Sequence, residues 1–164
     1  VELTVRAGER APWHPGRCAE LLVDGRVVGH AGELHPRVCA ALDLPPRTAV
    51  MELDVDALPP VPVPTGPHLS SFPPVFVDLA FVLAEEVPAA AVEASIREAA
   101  GALLAAVRLF DVYTGPQVGE GRRSLAYSLT LRAPDRTLSG EEAAELRQRV
   151  VAHVEQAQQA ELRG

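Results

Sequence analysis

At 164 residues, 48% of them apolar and only 4% aromatic, the chain can bury a real core and has the length of one domain plus a smaller companion. Its 15 cations, all arginine, face 22 acids for a net charge of −7. A general nucleic-acid binder has the opposite balance, so any RNA contact must be local and guided by shape. No stretch approaches the ~20 apolar residues of a membrane helix. Cys18 and Cys39 make no disulfide framework, so reduced thiols and a cytoplasmic setting are expected.

The opening VELTVRAGER starts in what reads as mid-strand, with no initiator Met and no signal-peptide pattern, so the chain reads as a fragment of a longer protein. Residues 18–23 and 26–32 read as two strands joined at Asp24-Gly25, a strong two-residue hairpin signal. His35-Pro36 starts a short helix through Leu42, and Leu44-Pro45-Pro46 ends it. Residues 48–55 alternate Val50, Glu52 and Asp54 against Met51, Leu53 and Val55, a third strand. Sixty residues with one short helix bury little core of their own, so this part is expected to lean on other structure. The prolines at 59, 60, 62, 64 and 67 impose a stiff, extended connection. The expected division is therefore 1–58, a linker at 59–68, and a second domain at 69–164.

Beyond the linker the pattern reads strand 75–84, helix 88–105, strand 107–113, strand 123–133, helix 139–157 and a short strand near 160–163. That order is βαββαβ, an α+β ferredoxin-like sandwich with both helices on one face of a four-stranded sheet. The first helix carries Val92, Ile96, Ala99 and Leu103 on one stripe, and the second carries Ala143, Leu146, Val150, Val154 and Ala157. Ser139 and Glu142 have capping-box spacing. Alternation sends Leu125, Tyr127, Leu129 and Leu131 to the core and Ser124, Ala126, Ser128 and Thr130 outward. Likewise Val77, Leu79, Phe81 and Leu83 point inward, and Asp78, Ala80 and Val82 outward. On the second strand, Phe110 and Val112 are expected in the core, with Leu109, Asp111 and Tyr113 on the open face.

These residues suggest several chemistries. Cys18, His30, His35 and Cys39 could be metal ligands, but no CxxC or HxxxH pair anchors them. Cys18 with His30 and Glu33 lacks any feature of an activated nucleophile. The loop Gly115 to Arg123 is glycine-rich, yet it runs from strand to strand, whereas a phosphate loop runs into a helix N-terminus. Its glycines suit a hairpin, while Arg122 and Arg123 could still meet a phosphate or simply be solvated. On the open face, Ala80, Asp111 and Ser124 with Tyr113 nearby could receive an unstacked RNA base. A carboxylate accepts from a guanine N–H edge, and small neighbours leave room for the ring. The same face suits a protein contact, and fold alone does not decide.

The words FDVY, GEGRRSLAY and PDRTLSGEE, with SSFPPVFVDLAFVL (70–83) and HPGRCAELLVDGRVVGHAGELHP (14–36) upstream, resemble the C-terminal region of the bacterial phenylalanine–tRNA synthetase β subunit. The resemblance implies a ferredoxin-fold anticodon-binding domain preceded by the end of a non-catalytic synthetase-like domain. It implies tRNA(Phe) and an α subunit as partners in an α2β2 enzyme. The ATP and Mg²⁺ of that enzyme act in the α subunit and editing acts earlier in β, so no cofactor or catalytic residue is expected here. Asp111 and Ser124 match positions used near the anticodon, and Arg122 and Arg123 match a basic run. Phe76 and Val77 stand where arginines are frequent, and Ser71 where lysine is common, so weak RNA affinity is expected. The alternative is a ferredoxin-like protein-interaction or regulatory module binding through its free sheet face.

Overall fold

The computed structural model describes residues 3–60 and 71–163. The chain divides into two compact units, residues 1–67 and 68–164; most of the proline-rich segment lies outside the described residues.

In the first unit, β1 (Leu3–Gly8), β2 (Trp13–Val23), β3 (Arg26–Leu34) and β4 (Ala49–Leu53) form an antiparallel sheet in chain order. The hairpin signal is realised at Asp24 and Gly25, both at positive φ (50° and 75°), as a turn matched to strand twist requires. β2 starts at Trp13, five residues before the expected 18, because a register shift between Trp13 and Cys18 lets 14–17 leave the ladder and pairing resume beyond it. Helix α1 (Pro36–Ala41) is capped by His35 Nδ1, which accepts from the Arg37 N–H. β4 stops at Leu53 because the Asp54 carboxylate accepts from the Asp56 N–H and turns the chain into a short 3₁₀ segment, Val55–Ala57.

The second unit runs β5 (Val75–Ala84), α2 (Ala89–Ala100), a 3₁₀ turn, β6 (Leu104–Tyr113), β7 (Arg122–Leu131), α3 (Gly140–Gln158) and β8 (Glu161–Leu162). Its sheet has the order β6-β7-β5-β8, all neighbours antiparallel. Leu79, Phe81, Leu83, Leu125, Leu129 and Leu131 meet Val92, Ile96, Leu146, Val150 and Val154 in one core. Tyr127 is fully buried there, and its hydroxyl donates to the Ala89 carbonyl at the start of α2, at 2.9 Å. The apolar surroundings push its pKa up to about 12. The capping box forms: the Glu142 N–H donates to Ser139 Oγ (3.1 Å) and the Ser139 N–H to Glu142 Oε2 (2.9 Å). That N–H, followed by Arg136, holds the Glu142 carboxyl below the usual range.

Two expectations are corrected. Helix α2 ends at Ala100, not 105, because Gly101 takes φ 57°, ψ −143°, a region closed to side-chain-bearing residues; β6 accordingly starts at Leu104. On β6, Leu109 pairs with Tyr127 and packs on the core, whereas Phe110 and Val112 are 47% and 51% exposed. For Leu109 and Phe110 the cause is a bulge between Leu109 and Asp111, which inserts one residue and reverses the alternation behind it; Val112 lies opposite Leu125 on the helix side and is exposed there on the edge strand of the sheet.

Candidate nucleic-acid interface

Directly opposed residues in an antiparallel sheet share a face, so the register lays out the open side of the second unit row by row. One row is Val82, Ser124 and Tyr113; the next is Ala80, Ala126 and Asp111; then come Asp78, Ser128 and Arg108. The bulge that moved Leu109 inward leaves Asp111 and Tyr113 on this face, beside Ala80 and Ser124. Asp111 is exposed, and among the described residues its carboxylate has no hydrogen-bond or ion-pair partner. Beside it, Ala126 and Ala80 leave a shallow floor without large side chains.

One residue that sequence reasoning missed belongs here. The Arg163 N–H donates to the Ala80 carbonyl (2.8 Å), its guanidinium carbon lies 5.2 Å from the Tyr113 ring centroid, and Nη2 donates to Gln117 Oε1 (3.0 Å). The side chain therefore bridges from β5 to β6 across β7. This accounts for outward-facing Ser124 and Ala126 being only 3% and 8% exposed. Tyr113 is fixed from the other side by Gly115, where an added Cβ would lie 2.6 Å from the tyrosine hydroxyl oxygen. The usable signal in sequence was the short strand near 160–163 beside β5, which brings Arg163 to the sheet.

The paired arginines separate. Arg122 shares the side of Ser124 by register, donates to the Val82 carbonyl (3.3 Å) and pairs with Glu161 (3.2 Å). Arg123 lies on the other side with Leu125 and donates to the Val87 carbonyl (2.7 Å), just ahead of α2. Exposed Phe76 (70%) stands opposite Thr130 at the far end of the open face.

Charge also distinguishes the two sides. Helices α2 and α3 carry six acids (Glu93, Glu98, Glu141, Glu142, Glu145, Glu155) against three arginines. On the open face and its β8 margin, Asp78, Asp111 and Glu161 are balanced by Arg108, Arg122 and Arg163. A polyanion is repelled by the helical layer and can approach the sheet.

The cysteine and histidine candidates of the first unit are engaged elsewhere. His30 is buried, its ring 5.5 Å from that of Trp13, with Nδ1 accepting from Arg10 at 3.2 Å. Cys18 and Cys39 are buried free thiols, and His35 caps α1. Glu33 is held by Arg17 and Arg47 (2.6 and 2.9 Å), and these two guanidinium groups, Arg47 foremost, keep its carboxyl below the usual range. Among the described residues no group of three His, Cys, Asp or Glu side chains could hold a metal ion, and no helix is long and apolar enough to cross a membrane.

A βαββαβ sandwich with one bare, charge-balanced sheet face defines an α+β binding module. Residues 70–163 match the family model of the ferredoxin-fold anticodon binding domain, and residues 1–55 that of the phenylalanyl tRNA synthetase beta chain CLM domain; the chain belongs to the ferredoxin-fold anticodon-binding domain family. It is 57% identical over 148 residues to the phenylalanine–tRNA ligase beta subunit of Corynebacterium jeikeium, covering 90% of this chain and 17% of the relative. The same subunit of Thermobifida fusca is 55% identical over 169 residues, covering 100% of this chain and 20% of the relative. That of Mycolicibacterium paratuberculosis is 49% identical over 163 residues, with 99% and 20% covered. The chain thus spans about a fifth of the length of these relatives.

Proposed function

We propose that the second unit recognises the anticodon loop of tRNA(Phe), as the C-terminal part of a phenylalanine–tRNA ligase β subunit. The observation that carries this reading is the row Ala80, Ala126, Asp111 beside Ser124 and Tyr113: a free carboxylate next to a small-residue floor and an aromatic ring. Asp111 accepts from the edge of a splayed base, Ser124 hydrogen-bonds it once Arg163 shifts, and Tyr113 supplies a stacking surface. Arg122 meets the RNA backbone. Arg123, directed at Val87, supports the loop from the helical side. Exposed Phe76 offers a second stacking surface.

In this reading residues 69–164 are the anticodon-binding domain, 1–58 are the tail of a synthetase-like domain and 59–68 link them. Aminoacylation with ATP and Mg²⁺ takes place elsewhere in an α2β2 assembly with the α subunit, in the cytoplasm. The test is titration of a fluorescent phenylalanine anticodon stem-loop with the chain at low and moderate salt. Binding that weakens with salt, and whose preference for the cognate loop disappears in Asp111→Ala, supports the reading. Salt-insensitive self-association through the sheet, with no RNA binding, supports the protein-interaction alternative, which Phe76 and Val82 on the same face would serve.

A further inference from the structure

The anticodon reading occupies only the first two of the four rows that cross the open face of the second unit. The third row is Asp78, Ser128 and Arg108, and the fourth is Phe76, Thr130 and Ala106. Successive rows on one face of a strand are two residues, or about 7 Å, apart. Rows three and four therefore continue the same surface for roughly 14 Å beyond Asp111.

The charges of the third row are unpaired. Asp78 and Arg108 are both exposed, and among the described residues neither side chain has a hydrogen-bond or ion-pair partner. They stand on β5 and β6, on either side of β7, with backbones about 10 Å apart at two strand spacings. Half-buried Ser128 forms the floor between them. The arginines nearer the first row differ: Arg122 is held by Glu161 and the Val82 carbonyl, and Arg163 by Tyr113 and Gln117. The third row thus sets a free acceptor and a free donor on opposite sides of a hydroxyl floor. One row further on, Phe76 projects a ring that is 70% exposed.

These groups select among bases. A carboxylate accepts from an exocyclic amino group and repels a carbonyl, whereas a guanidinium donates to a ring nitrogen. Adenine carries an amino donor beside a ring-nitrogen acceptor, and its face can stack on an aromatic ring; uracil has no amino group to offer Asp78. We propose that the third row, with Phe76 behind it, is a second base subsite that reads the middle adenine of the phenylalanine anticodon. Asp78 accepts from its amino group, and Arg108 donates to a ring nitrogen. The inference rests on the anticodon reading, in which Asp111 takes the neighbouring base. A step of about 7 Å between rows suits consecutive nucleotides whose bases are unstacked, since stacked bases stand only about 3.4 Å apart.

The test titrates the chain and its Asp78→Ala and Arg108→Ala variants against three fluorescent anticodon stem-loops. One is the cognate loop, one carries purine riboside (adenine without its amino group) at the middle anticodon position, and one is abasic there. For the unaltered chain each change should weaken binding about tenfold. Asp78→Ala should bind the cognate loop about tenfold more weakly and no longer distinguish it from the purine loop. Arg108→Ala should lose affinity for the cognate loop but not for the abasic one. Both side chains are exposed, so the variants should melt within about 3 °C of the parent. Equal weakening on all three loops overturns the inference, because it reports the RNA backbone and not a base. An unchanged purine penalty in Asp78→Ala does the same, as does an unaltered chain that binds the three loops alike. In those cases the anticodon reading stands if Asp111→Ala still abolishes preference at the first anticodon base. Absence of binding to every loop at millimolar concentration overturns both.

Discussion

Tyr127→Phe probes the contact that ties the sheet to α2. The ring is fully buried and its hydroxyl donates to the Ala89 carbonyl at 2.9 Å. Removing the hydroxyl deletes one buried hydrogen bond and leaves the shape, a cost of about 1 kcal/mol. In a domain of about 100 residues that lowers the melting temperature by roughly 4–8 °C near neutral pH. The alkaline limb supplies a second, opposite effect. The folded pKa, raised to about 12 by burial, exceeds the ordinary tyrosine value of 10, so above pH 10 the unfolded state releases a proton that the folded state retains. The associated stability is complete below pH 10 and lost as pH rises through 12, amounting to about 3 kcal/mol. The phenylalanine variant has no such loss, so the two stability curves must cross between pH 10 and 12. Urea unfolding followed at 222 nm isolates this unit, because the two long helices lie in it; fluorescence of the single tryptophan, Trp13, follows the other. Parallel curves across that pH range would refute the burial argument.

Other substitutions separate support from recognition. Arg123→Ala should destabilise the second unit, because its guanidinium holds the Val87 carbonyl, while changing the stem-loop affinity less than twofold; Arg122→Ala should reduce the salt slope of binding by about one. Gly101→Ala places a side chain at φ 57°, ψ −143° and should cost about 1–3 kcal/mol in urea unfolding. Ser139→Ala removes an N-cap acceptor from α3 and should cost about 1 kcal/mol by the same measurement. Because its pKa is depressed by the Ser139 N–H and Arg136, Glu142 contributes stability that is present above the ordinary carboxylate range and lost as pH falls through its folded value. Glu142→Gln should therefore flatten the acid limb of the unfolding profile.

The second unit was readable wherever local pattern and tertiary demand coincide. The alternation from Leu125 to Leu131 identified β7, and Ser139 with Glu142 marked the start of α3, because both signals are written in adjacent residues. What escaped depended on single backbone positions or distant contacts. Gly101 stops α2 while the apolar stripe runs on through Leu103, so periodicity overran the end. The bulge between Leu109 and Asp111 has no residue signature, and strict alternation put Leu109 outside and Phe110 inside. It spared Asp111 and Tyr113, since phase is counted correctly on their side of the bulge. Arg163 reaches Tyr113 only through β8 joining the sheet edge, a contact between residues 50 positions apart. In the first unit the Asp24-Gly25 turn was plain, whereas the early start of β2 followed from a register shift with no local mark.

The most direct test of the proposed interface is backbone-amide NMR of the chain during titration with the phenylalanine anticodon stem-loop, which detects weak binding. Shifts confined to β5, β6 and β7 around Ala80, Asp111, Tyr113 and Ser124, with Arg163 moving as its contact with Tyr113 is displaced, are the predicted result. Shifts concentrated on α2 and α3, or none at millimolar stem-loop, would contradict the assignment of the sheet face to the anticodon.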